Sequence, residues 1–206
     1  MKGLINAAWR WLAARERPTR GENLRGLRDR GESVDALRWR DATPADIPAL
    51  AQLHVVTWNA TYGPLGAVGP SAAVREQQWR QGFQHADPDW FCMVLERPDG
   101  ALVGFAQVNR SDHPGYAAEL RRLHLLRDYQ RLGFGTRALG LIARRLLERG
   151  FDSMWLSGDA RNPSIAAWKS LGAHKTDDDP GNGNYGWSDL RTLLARCDGQ
   201  DYDEPA

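Results

Sequence analysis

Apolar residues recur in this chain with two rhythms. Leu139, Ile142, Ala143, Leu146 and Leu147 fall on one face of a helix, while Arg137, Arg144, Arg145 and Arg149 take its polar positions. Gly150 is a natural stop for it. Upstream, residues Leu120 to Leu125 alternate instead: Leu123 and Leu125 share one face and Arg122 and His124 the other, which is the period of a strand. A second strand is predicted at Phe151 to Leu156. The order strand, turn, helix, strand is therefore set before any chemistry is considered.

The same reading covers the rest of the chain. Leu37 to Arg40 alternates as a strand. Thr43-Pro44-Ala45-Asp46 has the pattern of a helix start, with a capping residue, a proline and a carboxylate three residues on. The helix that follows buries Ile47, Leu50, Ala51 and Leu53 and runs to about Trp58, although Pro48 removes one early hydrogen bond. A Gly/Pro-rich connection at Gly63 to Pro70 leads to a second helix, Ala72 to Gly82. Strands at Trp90 to Glu96 and Leu102 to Asn109 flank the turn Arg97-Pro98-Asp99-Gly100. Asn182 to Trp187 reads as a loop or hairpin ahead of the last strand. At the other end, Leu4 to Ala14 predicts a helix with Ile5, Ala8, Trp9 and Leu12 on its apolar face, followed by an Arg/Gly-rich stretch from Arg17 to Gly31. The expected organisation is an extension over residues 1–35, one domain over 36–197, and an acidic tail over 198–206.

Composition narrows the classes. With 206 residues there is room for one domain with a good core. A net charge of +1 gives no global argument for a nucleic-acid partner, and arginine accounts for 24 of the 27 basic residues. Cys92 and Cys197 stand far apart without metal-type spacing, so neither a disulfide framework nor a metal site is expected; Asp177-Asp178-Asp179 reads as a solvated turn. No apolar run approaches a membrane span, and a cytoplasmic location is the expectation.

The candidate chemistry lies in Gln130-Arg131-Leu132-Gly133-Phe134-Gly135. Two glycines between a strand and a helix let a turn expose several backbone N–H groups at a helix start, a ready site for a phosphate or pyrophosphate. A P-loop is excluded because no lysine is present. A dinucleotide fingerprint would put Ala138 in place of the third glycine and lacks an acidic residue near position 155.

The longer run from Glu119 through Gly135 resembles motif A of the GNAT acyltransferase superfamily. The resemblance extends over about residues 37 to 195, and the order of elements follows it. It implies an α/β fold, with a mixed, mostly antiparallel central sheet flanked by helices, here preceded by the N-terminal helical extension. It implies acetyl-CoA as co-substrate, with the pyrophosphate held by the amides of Arg131, Leu132, Gly133, Phe134, Gly135 and Thr136. The pantetheine arm would pair with backbone at Leu123, His124 and Leu125. Asn162 to Ala173 resembles the family's motif B, so Asn162 is expected to cap a helix and to bond the cofactor's pantetheine end. Trp168 stands where the family usually carries a tyrosine. An indole N–H has no comparable acidity, so it cannot protonate the departing thiolate; Tyr185 or water would have to. Trp58 to Tyr62 resembles the family's first helical region, which commonly borders the acceptor.

Glu119 is the first candidate for the base that takes a proton from the acceptor ammonium, with His124 second. Asp159 could instead bind a cationic acceptor. The implied function is N-acetylation of a primary amine, on a small molecule or a peptide, by direct attack in a ternary complex. The alternative is a non-catalytic acyl-CoA-binding module or regulatory subunit. The apolar face of the N-terminal helix needs a cover, either its own domain or a second copy in a homodimer.

Overall fold

The alternation at 120–125 is the second half of a longer strand, β4 (Ala118–Leu125). The computed structural model describes residues 18–85, 87–177, 179 and 181–199. Within them seven strands form one sheet: β1 (Arg38–Asp41), β2 (Phe91–Glu96), β3 (Leu102–Arg110), β4, β5 (Met154–Leu156), β6 (His174–Lys175) and β7 (Tyr185–Trp187). Their spatial order is β1-β2-β3-β4-β5-β7-β6. The sheet is mixed and mostly antiparallel; β5 runs parallel to β4, while β7 is antiparallel to both β5 and β6. A parallel step needs a crossover, and the helix after the glycine turn supplies it.

Six α-helices accompany the sheet among the described residues: α1 (Arg20–Asp29), α2 (Ile47–Tyr62), α3 (Ala72–Gln84), α4 (Phe134–Glu148), α5 (Ile165–Ser170) and α6 (Leu190–Asp198). None of the described helices is long and apolar enough to cross a membrane. The predicted helix at Leu4 to Ala14 and the acidic tail past Gly199 lie outside the described residues.

The residues divide into two compact units. The first holds α1, α2 and α3, β1, Val94–Phe105 and His124–Leu132. Its α2 begins as the sequence indicates. The Asp46 carboxylate accepts from Thr43 N (2.7 Å) and from both Arg40 Nη atoms (2.9 Å each), and Arg40 also grips Glu96. That guanidinium holds the Asp46 carboxyl down at about 2. Pro48 lies in the first turn, where its missing N–H has no helical partner to lose. Leu50, Ala51 and Leu53 are buried, as is Trp79 of α3, and α2 packs on α3. The helix α1 replaces part of the Arg/Gly-rich stretch. Thr19 and Glu22 close a capping box at its start, and Leu27 is buried.

The second unit holds Ala106–Leu123 and the chain from Gly133 onward. Leu139, Ile142, Ala143 and Leu146 of α4 are buried, as their spacing indicates. α6 packs on α4 so closely at Gly140 that a Cβ there would lie 3.1 Å from Cys197 Cβ. The end of the chain departs from the sequence reading. Residues 185–187 are the last strand rather than the loop before it, and a helix follows. Asp189 caps that helix by accepting from Arg191 N (3.0 Å), and Leu190, Leu193 and Cys197 turn inward at helical spacing.

Candidate active site

β4 and β5 share only a short register, Ala118↔Met154 and Glu119↔Trp155. From Leu120 onward β4 has no β5 residue paired with it. Backbone amides on that edge are placed to take an extended ligand as an added strand. β4 then runs into a tight succession of turns. Leu126 N bonds Val103 O (2.8 Å), residues 127–129 make one 3₁₀ turn, and Gln130 Nε2 reaches back to Leu125 O (3.0 Å).

Arg131 follows in the left-handed region, at φ +59°, the sole non-glycine residue with positive φ among those described. Such a conformation costs about 1–2 kcal/mol for an L-residue, so the surroundings must enforce it. Gly133, at φ +86°, is the N-cap of α4 and needs the freedom of glycine. The first helical bond runs from Arg137 N to Gly133 O (2.9 Å), and α4 has no side-chain cap. The N–H groups of Phe134, Gly135 and Thr136 precede that bond, so the helix start offers them, with the positive end of its dipole, to an anion.

Glu119 stands where β4 and β5 part. Its side chain is one-tenth exposed, and Arg121, two residues on and on the same face, donates to both carboxylate oxygens (3.0 and 3.1 Å). The sheet register extends a row from it. Glu119 pairs with Trp155, Trp155 with Gly186, and Gly186 with His174. Residues paired in this way share one face. Gly186 leaves a gap in the row, and the Tyr116 ring lies across it: a Cβ at 186 would meet that ring at 2.5 Å. The Tyr116 hydroxyl then reaches His174 Nε2 (3.0 Å), and burial pushes its phenol up. The His113 ring packs 4.7 Å from Trp155. Reading the sequence missed Tyr116, Trp155 and His174. Strand register aligns Trp155 and His174, and Tyr116 reaches them from the turn before β4; the sequence carries no signal for either.

The other candidates separate. Tyr185 alternates with Gly186 and so projects from the opposite face of β7. The Trp168 ring lies 6.3 Å from it, so Trp168 and the Glu119 row occupy opposite faces of this part of the sheet. Asn162 does not cap α5, whose N-cap is Ser164 with no side-chain bond; its Oδ1 accepts from Ser164 N (2.9 Å) in a turn just before that helix. Asp159 is occupied by its own neighbour. Arg161 grips it at 2.9 and 2.6 Å and holds its carboxyl down at about 2. In the first unit, His124 stacks on Phe105 (5.2 Å) with His54 5.6 Å away, so its imidazole is packed among rings. Asn182 and Asn184 fold back beside β5: Gly183 N bonds Gly158 O (2.7 Å), and Asn182 bridges to Asp159.

A model of the acetyltransferase (GNAT) family matches residues 50–173. An uncharacterized N-acetyltransferase, YuaI of Bacillus subtilis, is 28% identical over 174 residues, which is 76% of this chain and 98% of that protein. Among solved structures, the PaiA N-acetyltransferase of Thermoplasma acidophilum in complex with coenzyme A superposes with a TM-score of 0.58 at 17% identity, covering 73% of this chain and 97% of its own. The spermidine N-acetyltransferase of Vibrio cholerae, in complex with CoA and spermine, gives 0.59 at 12% identity, covering 78% and 99%. At these identities the two structures speak to the fold.

Proposed function

Because this chain belongs to the GNAT acetyltransferase family, we infer that it transfers the acetyl group of acetyl-CoA to a primary amine of a small molecule or peptide. The observation that carries this reading is the strand that loses its parallel partner after Glu119 and leads, through left-handed Arg131, into a helix with no side-chain cap. These residues suit coenzyme A. The amides of residues 131 to 136 suit the pyrophosphate, and the backbone of Leu123, His124 and Leu125 suits the amide groups of pantetheine. Asn162, at the start of α5, completes the proposed set.

The acetyl-CoA thioester supplies the electrophilic carbonyl, and this chain's part is to position the reactants and manage protons. The acceptor must first lose a proton from its ammonium. Glu119 takes it, directly or through one water, and Arg121 keeps its carboxylate oriented until then. The Arg121 side chain is about half exposed, so it can swing into solvent as the cation arrives. The amine nitrogen then attacks the carbonyl carbon, and a backbone N–H near Leu125 supports the developing oxyanion. The C–S bond breaks, its electron pair leaves on sulfur, and the nitrogen gives up its second proton to water to become the amide. A thiolate is a weak base with a conjugate acid near 8.5, about the ordinary thiol value, so departure needs no strong acid. Trp168 and the Tyr185 phenol lie on the face opposite the Glu119 row, so water protonates the sulfur.

The test combines calorimetric titration with CoA and a screen of polyamines, amino acids and peptide N-termini. Release of free thiol from acetyl-CoA is recorded, and acetylated product is identified by mass. Absence of CoA binding removes the cofactor reading. Tight CoA binding with no acceptor-dependent thiol release supports the non-catalytic module instead.

A further inference from the structure

α1 precedes the part of the chain that matches the family model, which starts at residue 50. Its inward face consists of Asn23 and Leu27, one turn apart, both at least nine-tenths buried. Asn23 is a costly residue to bury unless its amide is satisfied. Both hydrogens of its Nδ2 are used: one goes to Arg127 O (3.0 Å), the other to Gln130 O (2.8 Å). The same segment is held twice more. Tyr129 Oη donates to Glu32 just past α1 (2.6 Å), and Arg30 pairs with Asp128 (3.2 Å).

The bond to Gln130 O bears on the turn itself. That carbonyl belongs to the peptide plane whose other end is the Arg131 N–H. In a trans peptide the C=O and N–H point in opposite directions. Fixing the carbonyl toward Asn23 therefore aims the Arg131 N–H away from α1, and it stops the plane from rotating. Rotation of that plane is also the motion that would release Arg131 from φ +59°. One buried amide thus fixes both the direction of the first donor of the turn and its strained conformation.

We propose that Asn23 is a positioning residue for the cofactor turn, and that α1 acts as a clamp that presets the Arg131 N–H for the pyrophosphate. This rests on the reading of the turn as the CoA site. Asn23 touches no reacting atom; it acts through the Gln130–Arg131 peptide. A clamp that is preset lowers the cost of ordering the turn when the ligand arrives, so its loss falls on CoA affinity and not on chemistry.

The test compares Asn23→Ala, Leu27→Ala and Arg28→Ala in the full chain, each by CoA titration calorimetry and thermal unfolding. Leu27→Ala removes buried packing from the same helix without touching the carbonyls, so it lowers Tm while leaving the CoA Kd of the folded protein within about threefold. Arg28 is exposed and changes neither value. Asn23→Ala weakens CoA binding about tenfold or more, and amide hydrogen exchange at residues 131 and 132 speeds up. In turnover with any acceptor that the screen yields, the KM for acetyl-CoA rises and kcat holds. If Asn23→Ala does not fold, Asn23→Ser, which keeps a shorter donor, is measured in the same way and shows a smaller loss of the same kind. An unchanged CoA Kd in a folded Asn23 variant, or an equal loss in Leu27→Ala, overturns the proposal. Failure of the unmutated protein to bind CoA is a different result, and it overturns the cofactor reading beneath.

Discussion

The two ends of β4 are built on different principles. Past its C-terminal end, the turn from Gln130 to Thr136 is made of backbone: a left-handed residue, a glycine cap and amides ahead of the first helical bond. At its N-terminal end, the row Glu119, Trp155, Gly186, His174 is made of side chains placed by register. The first carries the same groups whatever most of its side chains are. The second depends on four strands pairing in one frame and on a single missing Cβ. A ligand common to many enzymes suits the first construction. A particular acceptor needs the second, because only side chains vary from one chain to another.

Substitutions can break or sharpen this contrast, and the largest effect is expected in the backbone site. Gly135→Glu places a carboxylate beside the proposed pyrophosphate and is expected to weaken CoA binding by about a thousandfold; CoA should then no longer raise Tm. Equal thermal shifts in both proteins would sink the assignment. Glu119→Gln should lower kcat by about 10² to 10³, within the usual range for a lost general base, and leave the CoA Kd in place. A change under about threefold would move the base elsewhere.

Gly186→Ala drives a Cβ into the Tyr116 ring and should cost about 2–3 kcal/mol of stability. In a double-mutant cycle with Tyr116→Ala the penalty should largely vanish; strict additivity would show that the ring is not the obstacle. Trp168→Phe should retain activity within about tenfold, because an indole is no acid. A thousandfold loss with CoA binding intact would give Trp168 a direct part in the reaction. Smallest of all, Arg131→Gly removes left-handed strain but loosens the unfolded chain, for a net gain of about 0.5 kcal/mol in denaturant unfolding. A loss above about 1 kcal/mol would mean that the Arg131 side chain matters to the fold.

What could be read in advance follows the same division. The α4 face of Leu139, Ile142, Ala143 and Leu146 is a local pattern, and so are the glycines beside it, so turn and helix were legible residue by residue. α1 was legible only in part. The sequence Thr19-Arg20-Gly21-Glu22 is a capping-box signature, but the helix turns inward an asparagine and one leucine, too thin a stripe for periodicity to reveal. α6 has its own signal in Asp189 followed by Leu190, Leu193 and Cys197, which the expectation of another strand obscured. Glu119 could be found from its place at the start of β4. The Tyr116–His174 pair could not, because 58 residues separate the two and nothing local records that they touch.

The bonds from Asn23 have a further consequence, for the order in which the molecule is made. They span 104 and 107 residues, so they close a long loop among the described residues. Contacts of that range are entropically dear and form after local ones. During synthesis α1 leaves the ribosome early and must wait for residues 127 to 130 to follow, by which time α2, α3 and the β2–β3 hairpin have emerged. On the proposed reading of the turn, it reaches its ligand-ready form late, and binding of coenzyme A would report that the first part of the chain has found its place.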